Sequence, residues 1–98
     1  MNELFIVRLK PNQLKVQANM EEKQKLSKGH HDHIDKLVDD KIIQFGGPIE
    51  GKPGGILVVT AKSLQAAEAL FNEDPLIKNE YLLCEINKWT IKHGVFPH

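Results

Sequence analysis

Two segments of this sequence are almost continuously apolar: residues 4–9 (LFIVRL) and residues 55–61 (GILVVTA). Both contain many β-branched residues, which favour strands over helices. A strand of an antiparallel sheet that has one face in water alternates apolar with polar residues. Because neither segment alternates in this way, we expect both faces of these two strands to be covered.

A helix is predicted between these strands, from about residue 20 to residue 41, where apolar side chains and one histidine recur at steps of three and four in a charged stretch. Gly29 lies inside this segment and disfavours a helix, so we expect a bend or a break there. The repeating positions are Leu26, His30, Ile34, Leu37 and Val38.

The remaining elements are a second helix and two more strands. Ser63 is a good helix cap, and the residues after it, 64–71, are rich in Ala, Leu and Glu. We expect Asp74-Pro75 to end this region. Residues 42–45 and 81–91 are predicted strands, the first ended by Gly46-Gly47-Pro48, and residues 92–98 form a short tail.

The resulting order, β-α-β-β-α-β over a single domain of residues 1–98, predicts a ferredoxin-like α+β fold with a four-stranded antiparallel sheet. Right-handed crossovers place both helices on one face of this sheet and leave the other face open. The sequence offers no further segment to cover that face. A second copy of the chain is the simplest cover, so we expect a homodimer.

Composition excludes several classes of function. Thirteen basic residues balance thirteen acidic ones, so we expect neither nucleic acid nor an anionic membrane as a partner. The first ten residues lack the features of a signal peptide, which favours a cytoplasmic protein. Cys84 is the only cysteine, so an internal disulfide cannot form. Because the phosphate-binding and dinucleotide-binding glycine motifs are absent, we expect no cofactor.

The densest cluster of reactive side chains is Gly29-His30-His31-Asp32-His33. His30 and His33 are three residues apart and lie on the same side of a helix, whereas we expect His31 to point away. A catalytic zinc normally has three protein ligands, and no second motif of matching spacing follows, so we predict no metal site. Histidines packed structurally against the sheet remain an alternative.

Three further places could contribute to a site. Asp74 follows the second helix, which lies beside the first in this topology, so its carboxylate could orient an imidazole, although Asp before Pro also commonly ends a helix. Residues 46–55 contain five Gly and two Pro, and we expect this loop to form the rim of a cleft. Trp89 could stack on a planar ligand or simply pack in the sheet.

Taken in order, these motifs resemble the YCII-related (YciI-like) family of the dimeric α+β barrel superfamily. The resemblance covers nearly the whole chain. It rests on the opening strand, the His30-x-x-His33-Ile34-x-x-Leu37 pattern, Gly46-Gly47-Pro48, Gly55-Ile56, Ser63-Leu64-Gln65-Ala66-Ala67, Asp74-Pro75 and Trp89.

This resemblance implies a homodimer whose sheets pack face to face into a barrel, and a catalytic pair formed by His33 and Asp74. His30, Gly47, Pro48 and Trp89 are then the expected substrate-binding residues. The sequence departs from the family pattern twice. Many relatives carry Arg where this chain has His30, and many have an aromatic residue where it has Leu76.

The function expected from these features is general acid/base chemistry on a small cyclic or aromatic compound, either an elimination or an isomerisation. A fold alone does not define a reaction. A non-catalytic dimeric module that binds a ligand or a partner is a second hypothesis, and a cofactor-free oxygenase is a third.

Overall fold

Four antiparallel strands form one sheet in the computed structural model, which describes residues 2–95. Four helices connect the strands. The end of the predicted tail, residues 96–98, lies outside the described residues. In chain order the elements are β1 (Glu3–Pro11), α1 (Gln13–Ala18), α2 (Met20–Asp39), β2 (Ile43–Pro48), β3 (Gly55–Ala61), α3 (Leu64–Phe71), α4 (Pro75–Lys78) and β4 (Leu82–Lys88).

The strands are arranged in the order β2-β3-β1-β4, so the predicted ferredoxin-like order of β-α-β-β-α-β is confirmed, with two short helices added. All three strand pairs are antiparallel. Leu9 at the end of β1 pairs with Gly55 on one side and Cys84 on the other. This end of the sheet lies beside the functional site described below.

The core lies between the helices and one face of the sheet. Phe5, Val7 and Val59 point from the central strands into it and are at most 1% exposed. Leu37 of α2 and Phe71 of α3 pack against them. Because neighbouring side chains on a strand alternate, Ile6 and Val58 lie on the opposite face of the sheet.

The ends of two predicted strands are wrong. β2 continues through Gly46 and Gly47 to Pro48, because these residues pair with residues 55–57 at the sheet edge, where a proline is tolerated. β4 ends at Lys88 rather than at residue 91. Asp74-Pro75 follows the end of α3 at Phe71, as predicted, but it also starts a further helix, because Asp74 caps the four-residue α4 and Pro75 is its first residue.

Gly29 does not break α2, which runs as one helix from Met20 to Asp39. A Cβ atom built on Gly29 would lie 2.9 Å from Cγ of Pro75, which is closer than carbon atoms normally pack. The glycine therefore allows α2 and α4 to approach each other closely. This approach brings the residues next to Gly29 and Pro75 together.

No helix between residues 2 and 95 combines the length and the apolar character that are needed to cross a membrane.

Candidate functional site

Asp74 is the only polar or charged residue in the fully buried set of the described chain. Its Oδ1 atom accepts a hydrogen bond of 2.8 Å from the backbone N–H of Leu76 and a longer one of 3.4 Å from that of Ile77. These bonds cap the N-terminus of α4. The capping role fixes the position of the carboxylate and leaves its second oxygen for another partner.

That partner is His30, whose Nδ1 lies 2.5 Å from Oδ2 of Asp74. A carboxylate can only accept, so Nδ1–H of His30 is the donor. The His30 side chain is 15% exposed. Its Nε2 atom then faces away from the carboxylate and, in the neutral ring, carries a lone pair that can accept a proton from a ligand.

Two opposing effects set the pKa of Asp74. Burial acts to raise it, but the hydrogen bond and charge of His30, together with the backbone N–H groups of Leu76 and Ile77, lower it below its ordinary value. Asp74 is therefore ionised at neutral pH. An ionised carboxylate on Nδ1–H holds the imidazole in one tautomer and stabilises it when a proton arrives at Nε2.

The predicted hydrogen bond between His33 and Asp74 is wrong. Nε2 of His33 lies 2.8 Å from the backbone carbonyl of Leu70, to which it must donate, because a carbonyl only accepts. His33 therefore links α2 to α3. His30 and His33 do share one side of α2, but His30 is one turn nearer the N-terminus and is adjacent to Gly29, where α4 makes its closest approach.

His30 also lines a cavity of about 350 Å³ between α2 and the end of the sheet, which we call the apolar cavity. The structure places Gly47 and Pro48 on its wall, as the sequence predicts for the rim of a cleft. The other lining side chains are mostly aliphatic, and the remaining wall is bare backbone at two glycines. The remaining lining residues of the apolar cavity are Leu9, His31, Ile34, Gly54, Gly55, Leu57 and Leu82.

A second cavity of about 310 Å³ adjoins the first. Most of its wall is apolar, but we call it the polar cavity because it also contains polar side chains that the first lacks. The two cavities share four lining residues: His30, His31, Gly54 and Leu82. Lys23, Ser27 and Tyr81 are found only on the wall of the polar cavity. His30 thus lies where an apolar space and a more polar one meet.

Of the predictions for His31 and Trp89, only the one for His31 needs correction. His31, expected to point away, lines both cavities, and its ring centroid is 5.2 Å from that of His30. Trp89 does not line either cavity, because its backbone N–H bonds to Leu4 at the far end of β1. The stacking of Trp89 on a ligand remains a prediction.

Cys84 does not resemble a nucleophile. Burial, followed by the charges of Asp74 and Glu68, raises the pKa of its thiol to about 11, so the reactive thiolate is scarce at neutral pH. Within residues 2–95, no group of three His, Cys, Asp or Glu side chains is arranged to hold a metal ion. Proton transfer at His30 is the chemistry that the described side chains offer most directly.

The chain is thus a ferredoxin-like α+β protein with a histidine–aspartate pair beside a cleft at one end of its sheet. A family model, the YCII-related domain, matches residues 1–90. The chain therefore belongs to the YCII-related domain family. The uncharacterized protein YjpA of Bacillus subtilis (strain 168) is 31% identical over 64 residues, which cover 65% of this chain and 75% of YjpA.

Solved structures share the fold. The 5-chloro-2-hydroxyhydroquinone dehydrochlorinase TftG of Burkholderia phenoliruptrix AC1100, in complex with 2,5-dihydroxybenzoquinone, aligns with a TM-score of 0.65 and 23% identity over 93% of this chain and 95% of its own. MtbAldR aligns with a TM-score of 0.55 and 11% identity over 97% of this chain and 58% of its own. At these identities the likeness establishes the fold alone.

The lowered pKa of Asp74 predicts an acid-dependent contribution to stability. Because the folded-state pKa lies below the unfolded value of about 3.9, this contribution is complete above about pH 5 and is lost as pH falls through the folded pKa. We expect Asp74→Asn to lower the free energy of unfolding at pH 7 by about 1–3 kcal/mol. The difference from the unmodified protein should shrink below pH 4 in urea unfolding curves.

Asp32→Asn is the matched control, because Asp32 is an exposed residue that pairs with Lys28 at 2.9 Å. An exposed pair of this kind contributes about 0–1 kcal/mol. If both substitutions lowered the free energy of unfolding equally at every pH, the buried carboxylate would have no special role in stability.

Proposed function

We propose that this chain is an enzyme that moves protons on small cyclic or aromatic compounds, with His30 as general base and Asp74 as the residue that orients it. The observation that carries the proposal is the hydrogen bond between Nδ1 of His30 and the buried carboxylate, on the wall of a cavity. This geometry leaves Nε2 as the nitrogen that can face a ligand.

The cavity supports a flat, largely apolar substrate. Ile34 and Leu57 offer aliphatic surface, and Gly54 and Gly55 offer backbone without side chains. A Cβ atom on Gly54 would lie 2.1 Å from the carbonyl oxygen of Leu9, so no larger residue fits there. An edge of bare backbone lets a ring approach closely.

An elimination fits these groups. The base removes one proton from the ring or from a hydroxyl group, and a halide leaves with the electron pair of its bond to carbon. The net loss is one proton and one halide ion, so the reaction consumes no oxidant or reductant. TftG is a dehydrochlorinase of such a ring compound, which makes this reaction class a good first test for our chain. An isomerisation would use the same base to move a proton between two positions.

The test compares two histidines, using chloride release from 5-chloro-2-hydroxyhydroquinone as the assay. We expect His30→Ala to lower kcat about 10²- to 10⁴-fold, because it removes the base. His33→Gln should retain most of the activity, since His33 bonds to a backbone carbonyl. The kcat of Asp74→Asn should lie between the kcat values of the two histidine variants.

Loss of activity in His33→Gln with an active His30→Ala would support the catalytic role predicted for His33 from the sequence and would contradict our assignment. The ligand-binding module is the second candidate function, supported by the same cavity. It would give binding of 2,5-dihydroxybenzoquinone, detected by NMR at His30, without turnover. Oxygen consumption during the assay would instead favour the cofactor-free oxygenase.

We further propose that the functional unit is a homodimer whose sheets pack face to face. The sheet face opposite the helices supports this, because it presents apolar side chains to solvent in the single chain. Phe45, Leu83 and Trp89 are 58%, 52% and 38% exposed. Phe45 lies beside Val58, on the side of the sheet away from the core.

The dimer is tested by Phe45→Asp, which puts a charge on the exposed sheet face. We expect the unmodified protein to sediment as a dimer at micromolar concentration and Phe45→Asp to shift it toward monomer, because an unpaired charge is costly to bury. Leu14→Asp is the control, since Leu14 is 83% exposed on α1. A monomeric unmodified protein, or equal effects of the two variants, would contradict the proposed interface.

A further inference from the structure

We propose that the polar cavity binds an acidic substituent of the substrate, so that the preferred substrates are small cyclic compounds carrying a carboxylate or a similar anion. Lys23 is the residue that would hold this group. The inference rests on the proposed function, because it assumes that the reacting ring lies beside His30. It adds the chemical class of the substrate and the residue that selects it.

The first support is the arrangement of α2. Lys23, Ser27, His30 and Ile34 follow one another at steps of four, three and four, so they lie along one side of the helix. Lys23 and Ser27 line the polar cavity, Ile34 lines the apolar cavity, and His30 lines both. A substrate lying along this side of α2 would place its apolar ring near Ile34 and its polar end near Lys23.

The charge of Lys23 is the second support. Lys23 is half-buried, and its ammonium group takes part in none of the ion pairs found between residues 2 and 95. By contrast, Lys25 and Lys28 on the same helix each pair with a carboxylate four residues away. A partly buried cation without an acidic partner on the wall of a cavity is suited to bind an anion.

Tyr81 supplies an independent observation. It is 1% exposed and lines the polar cavity, yet its hydroxyl group forms no hydrogen bond of normal geometry with the described residues, although the carboxylate of Glu22 lies near enough to act on it. Buried hydroxyl groups almost always have a partner, since leaving one unpaired costs free energy. A ligand oxygen in the polar cavity would provide a hydrogen-bond partner for the Tyr81 hydroxyl group after a small shift of the side chains around the phenol.

Charged groups of both signs lie near Tyr81. The ammonium nitrogen of Lys15 lies 4.9 Å from the centre of the Tyr81 ring and also donates to the backbone carbonyl of Asn79. Burial and then the carboxylate of Glu22 raise the pKa of Tyr81, so the phenol stays protonated and can donate. Glu22 is itself exposed, and its charge is well screened by water.

The experiment compares two probes that differ in charge and hardly in shape: 2,5-dihydroxybenzoate and 2,5-dihydroxybenzamide. Their affinities are measured by NMR titration, with the His30 ring signals reporting on the site. We expect the carboxylate to bind about tenfold more tightly than the amide, as a charge-assisted hydrogen bond would provide. In Lys23→Met this preference should disappear while the affinity for the amide stays the same.

Lys28→Met is the control, because it removes the same charge from an exposed position of the same helix, and it should keep the tenfold preference. Tyr81→Phe should fold normally and bind the carboxylate more weakly. Equal affinities of the two probes in the unmodified protein would overturn the inference and leave the proposed function intact. If neither probe perturbs His30, the inference is likewise wrong, and the chloride-release assay decides the proposed function separately.

Discussion

The carboxylate of Asp74 has no contact with solvent, so the surrounding residues must supply all of its hydrogen bonds. One oxygen is bound by the backbone at the start of α4 and the other by His30 on α2. A buried carboxylate that lost these partners would cost several kcal/mol. The pair therefore holds the two helices in one relative position, and the close contact of Gly29 with Pro75 makes that position possible.

The cleft depends on the same contact. α2 lies beside the end of the sheet that contains Leu9 of β1, Pro48 of β2 and Gly55 of β3, and the side of α2 that carries His30 forms part of the wall of both cavities. β2 extends through Gly47 to Pro48 and forms part of the opposite wall of the apolar cavity. Thus one hydrogen-bonded pair, His30 and the buried Asp74, stabilises the fold and also positions the nitrogen to which we assign the chemistry. The capping bonds to Asp74 make the geometry rigid before any ligand arrives.

The sequence predicts the order of the main elements because their signals are local. A continuous apolar run, β-branched content and a serine cap are each encoded within a few neighbouring residues, and β3 and α3 begin and end where these signals indicate. α4 is missed because a single helical turn has almost no periodicity. Its Asp-Pro start is a cap with proline at the first position, which in sequence resembles a helix stop.

The pairing of Asp74 with His30 rather than His33 could not be read from helical spacing, since both histidines lie on one side of α2. They differ by about 4.5 Å along the helix axis, and only the packing of α4 selects between them. Gly29 is the sequence feature that could have identified His30 as the partner of Asp74, because a glycine inside a helix often marks a close approach of another element. The residue next to that glycine is His30.

The pairing of His30 with Asp74 is tested most directly by the tautomers of His30 and His33. They are read from the ¹⁵N chemical shifts of the imidazole rings at a pH at which both rings are neutral. The structure requires His30 to carry its proton on Nδ1, bonded to Asp74, and His33 to carry its proton on Nε2, bonded to Leu70. We expect this opposite assignment, with the His30 signals changing in Asp74→Asn. A proton on Nε2 of His30, or a response of His33 alone to Asp74→Asn, would contradict it.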